Sequence, residues 1–278
     1  MQVNKEQELR LSKWANCSII VQCFNEEKTI AECIKRINNA VPGAEIIVVF
    51  GGNDNTAKNA SSLQKEIPSL RVIENRPDFG KGHATKVGIL AAKNNIQAEI
   101  DGDIQFDPED LPLVLKPLLD GKSKFVIGSR HMSYDKWEPE AKNFARDNGN
   151  RFLAGLISFL TGSKVTDVTT GLRVWDRNFV KTFWFNDDKY LYPVEMLIRA
   201  LATNQKILEV PISYSGRKNG KAMHDSTREV FNAGVSYSVN IFKLWYNVKI
   251  RKNILAETYP NPGSTKLQEP LIIQNVKV

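Results

Sequence analysis

The chain has 278 residues, of which 42% are hydrophobic and 25% charged, and its formal net charge is +7. This composition is ordinary for a globular protein with one large α/β domain or two small ones. The positive charge favours an anionic partner, such as a phosphorylated substrate or an anionic membrane surface. Because the sequence has neither a Cys/His zinc spacing nor an RNA-recognition motif, we expect no nucleic-acid partner.

The cysteines and the N-terminal residues indicate a compartment. The chain has three cysteines, and all of them lie in one segment, at Cys17, Cys23 and Cys33. The odd number and the clustering argue against a disulfide framework and favour a reducing environment. Residues 1–14 lack the apolar region of a signal peptide, and no run reaches the roughly 20 apolar residues of a spanning helix. We therefore expect a cytoplasmic protein whose membrane contact is at most peripheral, at the cytoplasmic face.

The first part of the chain alternates strands with helices. Apolar, β-prone runs predict strands, and apolar residues at helical spacing predict helices. The strands lie at residues 18–21, 45–50, 70–74 and in a run that ends at 100, with helices at 29–37, 56–65 and 83–94. This alternation predicts an α/β fold that resembles a Rossmann nucleotide-binding unit, with a mainly parallel central sheet flanked by helices.

The second part of the chain is less regular. Its pattern predicts helices at 111–119, 151–160 and 190–202, strands at 124–128 and 207–212, and polar loops at 131–142 and 216–225. An amphipathic, basic helix follows at 227–252. We expect an N-terminal extension at 1–16, a main domain at 17–225, the amphipathic helix within 226–256 and a flexible tail at 257–278.

Two carboxylates follow the strand that ends at Ile100. Asp101 and Asp103 lie where open α/β sheets gather ligand-binding groups. Two acids this close repel each other, and a hard cation relieves the repulsion by binding both carboxylates together with a diphosphate. An isolated Asp-x-Asp is short enough to arise by chance, so the alternative is a solvated acidic turn.

Five segments in register distinguish these alternatives. They are residues 17–27 (CSIIVQCFNEE), 80–82 (GKG), 101–105 (DGDIQ), 128–130 (GSR) and 166–173 (TDVTTGLR). Together they resemble glycosyltransferase family 2, and most of all its dolichyl-phosphate mannose synthase-like branch, over residues 18–221. The resemblance implies a GT-A fold and a metal-dependent, inverting transfer of a hexose from a GDP- or UDP-sugar to a polyprenyl or dolichyl phosphate.

The resemblance also implies roles for individual residues. Asp101, Asp103 and Gln105 are the expected ligands of Mg²⁺ or Mn²⁺. The residues expected to contact the nucleotide-sugar donor are Gln22, Phe24, Glu26, Phe50, Asp54, Lys81, Asp101, Arg217 and Lys221. Arg130 and Arg173 are expected to bind the acceptor phosphate, and Asp103, Arg130 and Asp167 are the expected catalytic residues.

Several of these roles have structural alternatives. Lys81 is either a phosphate ligand or a surface lysine, and Arg130 either faces the acceptor or forms a salt bridge at the rim. Asp167 orients the acceptor, acts as a base or caps a turn, while Arg173 binds phosphate or pairs with Asp167. His224, beside the basic loop, is either an additional metal or phosphate ligand or a solvated histidine.

One segment departs from the family pattern. Where relatives carry an acidic pair, one member of which receives the nucleotide base, this chain has Phe50-Gly51. Phe50 either stacks on the base or ends its strand in the core, and Asn53 or Asp54 is the expected substitute hydrogen-bonding partner. A catalytically silent, nucleotide-sugar-binding protein is therefore an alternative to the enzyme.

The acceptor class determines whether a base is needed. A polyprenyl phosphate is already anionic, whereas a soluble or protein hydroxyl, the other candidate acceptor, needs a base such as Asp167 or Glu195. Apolar and basic residues in the helices at 151–160 and 227–252 suit an anionic membrane interface. The alternative is that both helices simply pack on the core.

Overall fold

A single mixed sheet organises the computed structural model, which describes residues 13–217, 227–250 and 271–272. Within these residues the strands are β1 (Cys17–Cys23), β2 (Glu45–Phe50), β3 (Leu70–Glu74), β4 (Ile96–Asp101), β5 (Phe125–Ser129), β6 (Arg173–Asp176), β7 (Ile207–Pro211) and β8 (Leu271–Ile272). Their order across the sheet is β7-β5-β6-β4-β1-β2-β3-β8.

Most of the sheet is parallel, as the sequence pattern predicts. The strands β4, β1, β2 and β3 are parallel neighbours, and β5 pairs in parallel with β7. Strand β6 lies antiparallel between β4 and β5 and sets Arg173 opposite Glu99, while β8 pairs antiparallel with β3. The sequence pattern missed β6, which has only four residues and begins at Arg173, the last residue of the fifth family segment.

Helices cover both faces of the sheet. They are α1 (Ile30–Ala40), α2 (Thr56–Ser62), α3 (Lys81–Ala91), α4 (Leu111–Leu119), α5 (Phe144–Thr161), α6 (Arg177–Val180), α7 (Tyr192–Ala202) and α8 (Thr227–Trp245), which continues as a π-helical turn, Tyr246–Ile250. Apolar residues of α1, α2 and α4 pack on one face, and those of α3, α5, α7 and α8 pack on the other. Alternate residues of β1 face the two layers, as a strand that is buried on both faces requires.

Helix α5 begins earlier than the sequence pattern predicts. The side chain of Asn143 accepts a hydrogen bond from the backbone N–H of Arg146 at 3.0 Å and caps the helix. The first two turns are mostly polar, so apolar spacing could not reveal them. The helix ends at Gly162, whose φ of 72° is the left-handed conformation typical of a glycine after a helix.

None of the helices in the described residues is long and apolar enough to cross a membrane.

A glycine in α3 allows the helix to pack closely on the sheet. A Cβ on Gly88 would lie 2.3 Å from Cγ2 of Ile20 in β1, whereas a Cβ on Gly155 in α5 would meet nothing within 4 Å. Both glycines are helical, so replacing either by alanine brings the same gain in helix propensity, about 1 kcal/mol. The two substitutions therefore differ mainly in the steric clash.

We expect Gly88→Ala to be less stable than Gly155→Ala by about 1–3 kcal/mol in the free energy of unfolding, the usual cost of overpacking a core. Urea denaturation of the two variants and the parent measures this difference. Equal stabilities would show that α3 does not pack on β1 as described.

Candidate active site

The carboxyl ends of β4, β1, β2 and β3 open into a cavity of about 540 Å³. Loops after these strands form one wall, and α5, α7 and α8 form the opposite wall. Its lining residues include Gln22, Phe24, Glu26, Gly51, Asn75, Asp78, Lys81, Asp101, Asp103, Arg130, His131, Arg146, Asn150, Tyr214 and Arg217. A cavity at this edge is where parallel α/β sheets bind their ligands.

A cation pairs with each member of the acid pair. Lys81 Nζ, at the start of α3, lies 2.7 Å from Oδ1 and 2.9 Å from Oδ2 of Asp101. Arg217 Nη2 lies 2.7 Å from Oδ2 of Asp103. Burial and the nearby charge of Asp101 raise the pKa of Asp103. Burial opposes the charge on Lys81, but Asp101, Tyr192 and Glu99 together outweigh it and raise the Lys81 pKa above its usual range.

The acid pair fits a divalent cation that also binds phosphate. Magnesium is usually held by one or two protein carboxylates together with substrate phosphates and water. The described residues contain no cluster of three or more His, Cys, Asp or Glu side chains that would hold a metal by itself. Asp101 and Asp103 thus supply the protein's share of a site that a diphosphate would complete.

The side chain of Gln105, which is predicted to bind the metal, instead forms hydrogen bonds with other protein groups. Its side-chain amide donates to the carbonyl of Ser215 at 3.5 Å, and its Oε1 accepts from Arg217 Nε at 3.3 Å. The prediction of Gln105 as a third metal ligand is therefore not supported by this geometry. The amide instead ties the loop after β4 to the segment after β7.

Gln22, Phe24 and Glu26, all expected to contact the donor, line the cavity. The Gln22 amide donates to Oε2 of buried Glu99 at 3.0 Å, so it supports the cavity floor. Phe24 is 57% exposed and offers a free ring face. Burial, followed by the charge of Asp103, raises the pKa of Glu26 to about 7.

Phe50 and Asp54 do not reach the donor site. The Phe50 side chain is fully buried in the core, so the alternative that it ends its strand there is confirmed and base stacking is wrong. The Asp54 carboxylate accepts from the backbone N–H groups of Glu27 and Thr56, at 3.1 and 2.9 Å, and so organises the start of α2. Lys221 and His224 lie outside the described residues.

The two glycines of the segment 80–82 allow another loop of the chain to approach closely. A Cβ on Gly80 would lie 2.6 Å from the carbonyl oxygen of Asp188, and one on Gly82 would lie 2.3 Å from that of Asp187. The loop before α7 thus packs directly on the start of α3. This close approach fixes the helix terminus from which Lys81 reaches Asp101.

Arg130, which lines the cavity, forms a bidentate pair with Asp167. Arg130 Nε lies 2.7 Å from Oδ2 of Asp167, and Nη2 lies 2.8 Å from Oδ1. Burial raises the pKa of Asp167, but the charge and hydrogen bonds of Arg130, together with His131 and Asn150, outweigh it and lower that pKa below its usual range. The expectation that Asp167 acts as a base is therefore wrong, because the pairing holds it as a weakly basic carboxylate.

Arg173 and Glu195 are also structural. Arg173 is 1% exposed, donates to the carbonyl of Val168 at 3.1 Å and lies 3.8 Å from Glu99. It therefore neither faces an acceptor phosphate nor pairs with Asp167, contrary to both expectations. Buried Glu195 accepts hydrogen bonds from the backbone N–H groups that precede α7 and pairs with Arg199.

Two residues of the cavity wall lie in the first turns of α5, before the helix that the sequence pattern predicts. Arg146 is exposed and lines the cavity, and the structure gives its guanidinium no hydrogen bond or ion pair among the described residues. Asn150, one turn later, donates to Asp167 and contacts His131 Nε2, both at 2.8 Å. The i, i+4 spacing of these two residues was the available signal, but the helix was predicted to begin after them.

The family model for glycosyl transferase family 2 matches residues 18–184. This segment contains the acid pair, the cavity floor and the Arg130–Asp167 pair. The chain belongs to glycosyltransferase family 2.

Curated relatives of this family 2 chain are named as polyprenyl-phosphate sugar transferases. A dolichyl-phosphate hexose transferase of Haloferax volcanii is 29% identical over 84% of this chain and 96% of the relative. A dolichol-phosphate mannosyltransferase of Pyrococcus furiosus is 26% identical over 74% of this chain, which spans only 58% of that relative.

A solved structure shows the same fold. The glucosyl-3-phosphoglycerate synthase of Mycobacterium tuberculosis, crystallised with Mn²⁺, UDP and its product, matches 89% of this chain and 84% of its own with a TM-score of 0.63. The two are 18% identical, so the likeness shows the fold alone. The predicted GT-A fold is confirmed.

We expect Asp167→Asn to lower the free energy of unfolding by about 3–5 kcal/mol, because it leaves Arg130, whose side chain is only 13% exposed, without its countercharge. The double variant Arg130→Met/Asp167→Asn should lose less. Since the pKa of folded Asp167 is lowered, its stabilisation is complete well above the unfolded pKa of about 3.9 and declines as the pH falls below it.

Denaturant titrations at neutral and acidic pH test this expectation, with the exposed Asp120→Asn as a matched control. A loss for Asp167→Asn no larger than that of the control would contradict the buried pairing.

Proposed function

We propose that the chain is a metal-dependent, inverting glycosyltransferase that moves a hexose from a nucleotide sugar to a polyprenyl phosphate at the cytoplasmic face of a membrane. The observation that carries this proposal is the single cavity that joins the acid pair to Arg146. One end suits a donor diphosphate, and the other offers a cation for a second phosphate.

At the donor end, Asp101 and Asp103 would hold Mg²⁺ or Mn²⁺. Such a cation, when bound, offsets negative charge on the departing diphosphate. Lys81 and Arg217 now neutralise the two carboxylates, so a cation that takes over this task would free both side chains for phosphate oxygens. These groups then stabilise the leaving group electrostatically.

At the acceptor end, the structure favours a phosphate over a hydroxyl. The two carboxylates that the sequence offered as bases, Asp167 and Glu195, are each held by an arginine. A phosphate oxygen is anionic near neutral pH and needs no base. Arg146 is placed to receive that phosphate with the planar guanidinium geometry that suits it.

A membrane-facing surface adjoins this end of the cavity. Helices α5 and α8 lie side by side, since Gly149 is near Val230 and the indole N–H of Trp245 donates to the carbonyl of Leu160 at 2.7 Å. Each helix exposes an apolar stripe away from the core. We call these two stripes the apolar face: Phe144, Phe152, Phe159, Phe231, Val235, Val239, Phe242, Tyr246 and Ile250.

We propose that the apolar face rests on an anionic lipid surface. Exposed basic residues of the same helices, among them Arg151, Lys243 and Lys249, supply charge that attracts anionic headgroups. Residues of both helices also line the cavity, so a lipid-linked phosphate would enter without leaving the interface.

Transfer itself is tested with purified protein, UDP- and GDP-hexoses, Mg²⁺ or Mn²⁺, and polyprenyl phosphate. We expect product on the lipid. Asp103→Ala should lower kcat/KM by at least about a hundredfold through the loss of metal and diphosphate binding, while Asp120→Asn leaves it unchanged.

In the same assay, Arg146→Ala should raise KM for polyprenyl phosphate about tenfold or more with little change in donor KM. Transfer to soluble hydroxyls alone would refute the lipid assignment. Donor binding without any transfer would favour the silent binding protein.

Membrane binding has its own test. The triple variant Phe152→Ser/Phe159→Ser/Phe231→Ser removes three side chains that are 64%, 84% and 69% exposed, so its fold should be retained. We expect its partitioning onto phosphatidylglycerol vesicles to fall at least about tenfold, since inserting one phenylalanine contributes about 1.5–3 kcal/mol.

The matched control is Leu113→Ser, which changes an exposed apolar residue of α4 on the opposite face of the sheet. Cosedimentation measures both proteins. An equal loss of vesicle binding in the control, or no loss in the triple variant, would show that the apolar face is not the membrane contact.

A further inference from the structure

Residue 51 is a glycine where relatives carry an acid, and Asp78, which follows the next strand, lies beside it. An ideal Cβ on Gly51, which follows β2, would lie 3.0 Å from both Cγ and Oδ1 of Asp78, in the loop after β3. Both residues line the cavity. The Asp78 carboxylate therefore lies next to the position where an acidic side chain from residue 51 would begin.

A second group beside Asp78 lacks a partner. Asn75 is 3% exposed and lines the same wall, and its Nδ2 has no hydrogen-bond acceptor among the described residues. Its Oδ1 is held by His83 Nδ1 at 2.7 Å, which leaves the amide N–H₂ as the free end. A buried donor without an acceptor is costly, so it points to an acceptor that a ligand brings.

Both groups lie at the correct end of the cavity for a nucleobase. Strand β3 is three strands from β4, or about 14 Å at the usual spacing of about 4.8 Å. A donor whose diphosphate lies at Asp101 and Asp103 would place its nucleoside along this edge, past β1 and β2. Exposed Phe24, between the two ends, offers a ring face to the base.

We propose that Asn75 and Asp78 recognise the nucleobase and select uracil or guanine over cytosine or adenine. The inference rests on the proposed function, which supplies the nucleotide sugar. A keto oxygen on the base accepts from the deep Asn75 amide, and the adjacent ring N–H donates to the Asp78 carboxylate. Cytosine and adenine carry an amino donor and a ring nitrogen acceptor at these positions, so both contacts become repulsive.

Asp78 Oδ1 already accepts the backbone N–H of Gly80 at 2.9 Å, which orients the carboxylate before a ligand arrives. Its second oxygen is available to the base. Phe50, Asn53 and Asp54, the earlier candidates, are replaced in this role.

The test is isothermal titration with UDP, GDP, CDP and ADP in the presence of Mn²⁺. We expect the parent chain to bind at least one of UDP and GDP at least about tenfold more tightly than CDP and ADP. Asp78→Asn should remove most of this preference, by weakening the favoured nucleotide about tenfold and leaving CDP no weaker. Asp120→Asn is the matched control and should keep the preference.

A rescue variant guards against a merely structural effect. Gly51 does not have a positive φ, so its backbone accepts an acidic side chain. In an Asp78→Ala background, Gly51→Asp should restore the preference for UDP or GDP from the neighbouring strand, whereas Gly51→Ala should not.

The outcomes separate two failures. If the parent chain binds none of the four nucleotides, both the proposed function and this inference are wrong. If it binds them and transfers sugar, but Asp78→Asn keeps the parent's preference or the Gly51→Asp rescue fails, only the base assignment is overturned.

Discussion

Charge compensation around Asp101 and Asp103 is the constraint on which the donor site depends. Two carboxylates one residue apart, largely removed from water, destabilise each other unless cations lie close by. The cations come from distant parts of the chain: Lys81 from the start of α3 and Arg217 from the segment after β7. The acid pair therefore links two distant segments of the chain, and in the proposed function a bound metal ion would take over its charge compensation.

The same requirement explains which arginines are free to bind ligands. Arg130 and Arg173 both belong to family motifs, yet each has a buried carboxylate close by, Asp167 or Glu99. Removing a buried partner costs far more than an exposed ion pair contributes, so these contacts are part of the scaffold. Exposed Arg146 contacts no carboxylate in the part of the chain that the structure describes, so the proposed phosphate would replace only water at its guanidinium.

The sequence predicted most strands and the location of the acid pair because both depend on local pattern. Continuous apolar runs mark strands buried on two faces, and the carboxyl end of β4 follows directly. The roles of individual site residues were harder to predict, because a motif places a residue at a strand end but does not show which residues its side chain contacts. Phe50 lies in the core, and Arg173 of β6 lies opposite Glu99 of β4, in an antiparallel pairing that no sequence periodicity revealed. Arg146 was missed because a polar first turn conceals a helix from any search for apolar spacing.

The loop between β3 and α3 gives the two ends of the donor site a common support. It carries Asn75 and Asp78 and leads into Lys81, the first residue of α3, while Gly80 and Gly82 pack on the loop before α7. The parallel order of β1, β2 and β3 brings successive strand ends into one row, so an acid absent from the end of β2 can be supplied from the end of β3. A base that engages Asp78 would thus order the same loop that presents Lys81 to the acid pair. The proposed contact with the nucleobase and the proposed charge compensation at the diphosphate would therefore both depend on the conformation of this one segment.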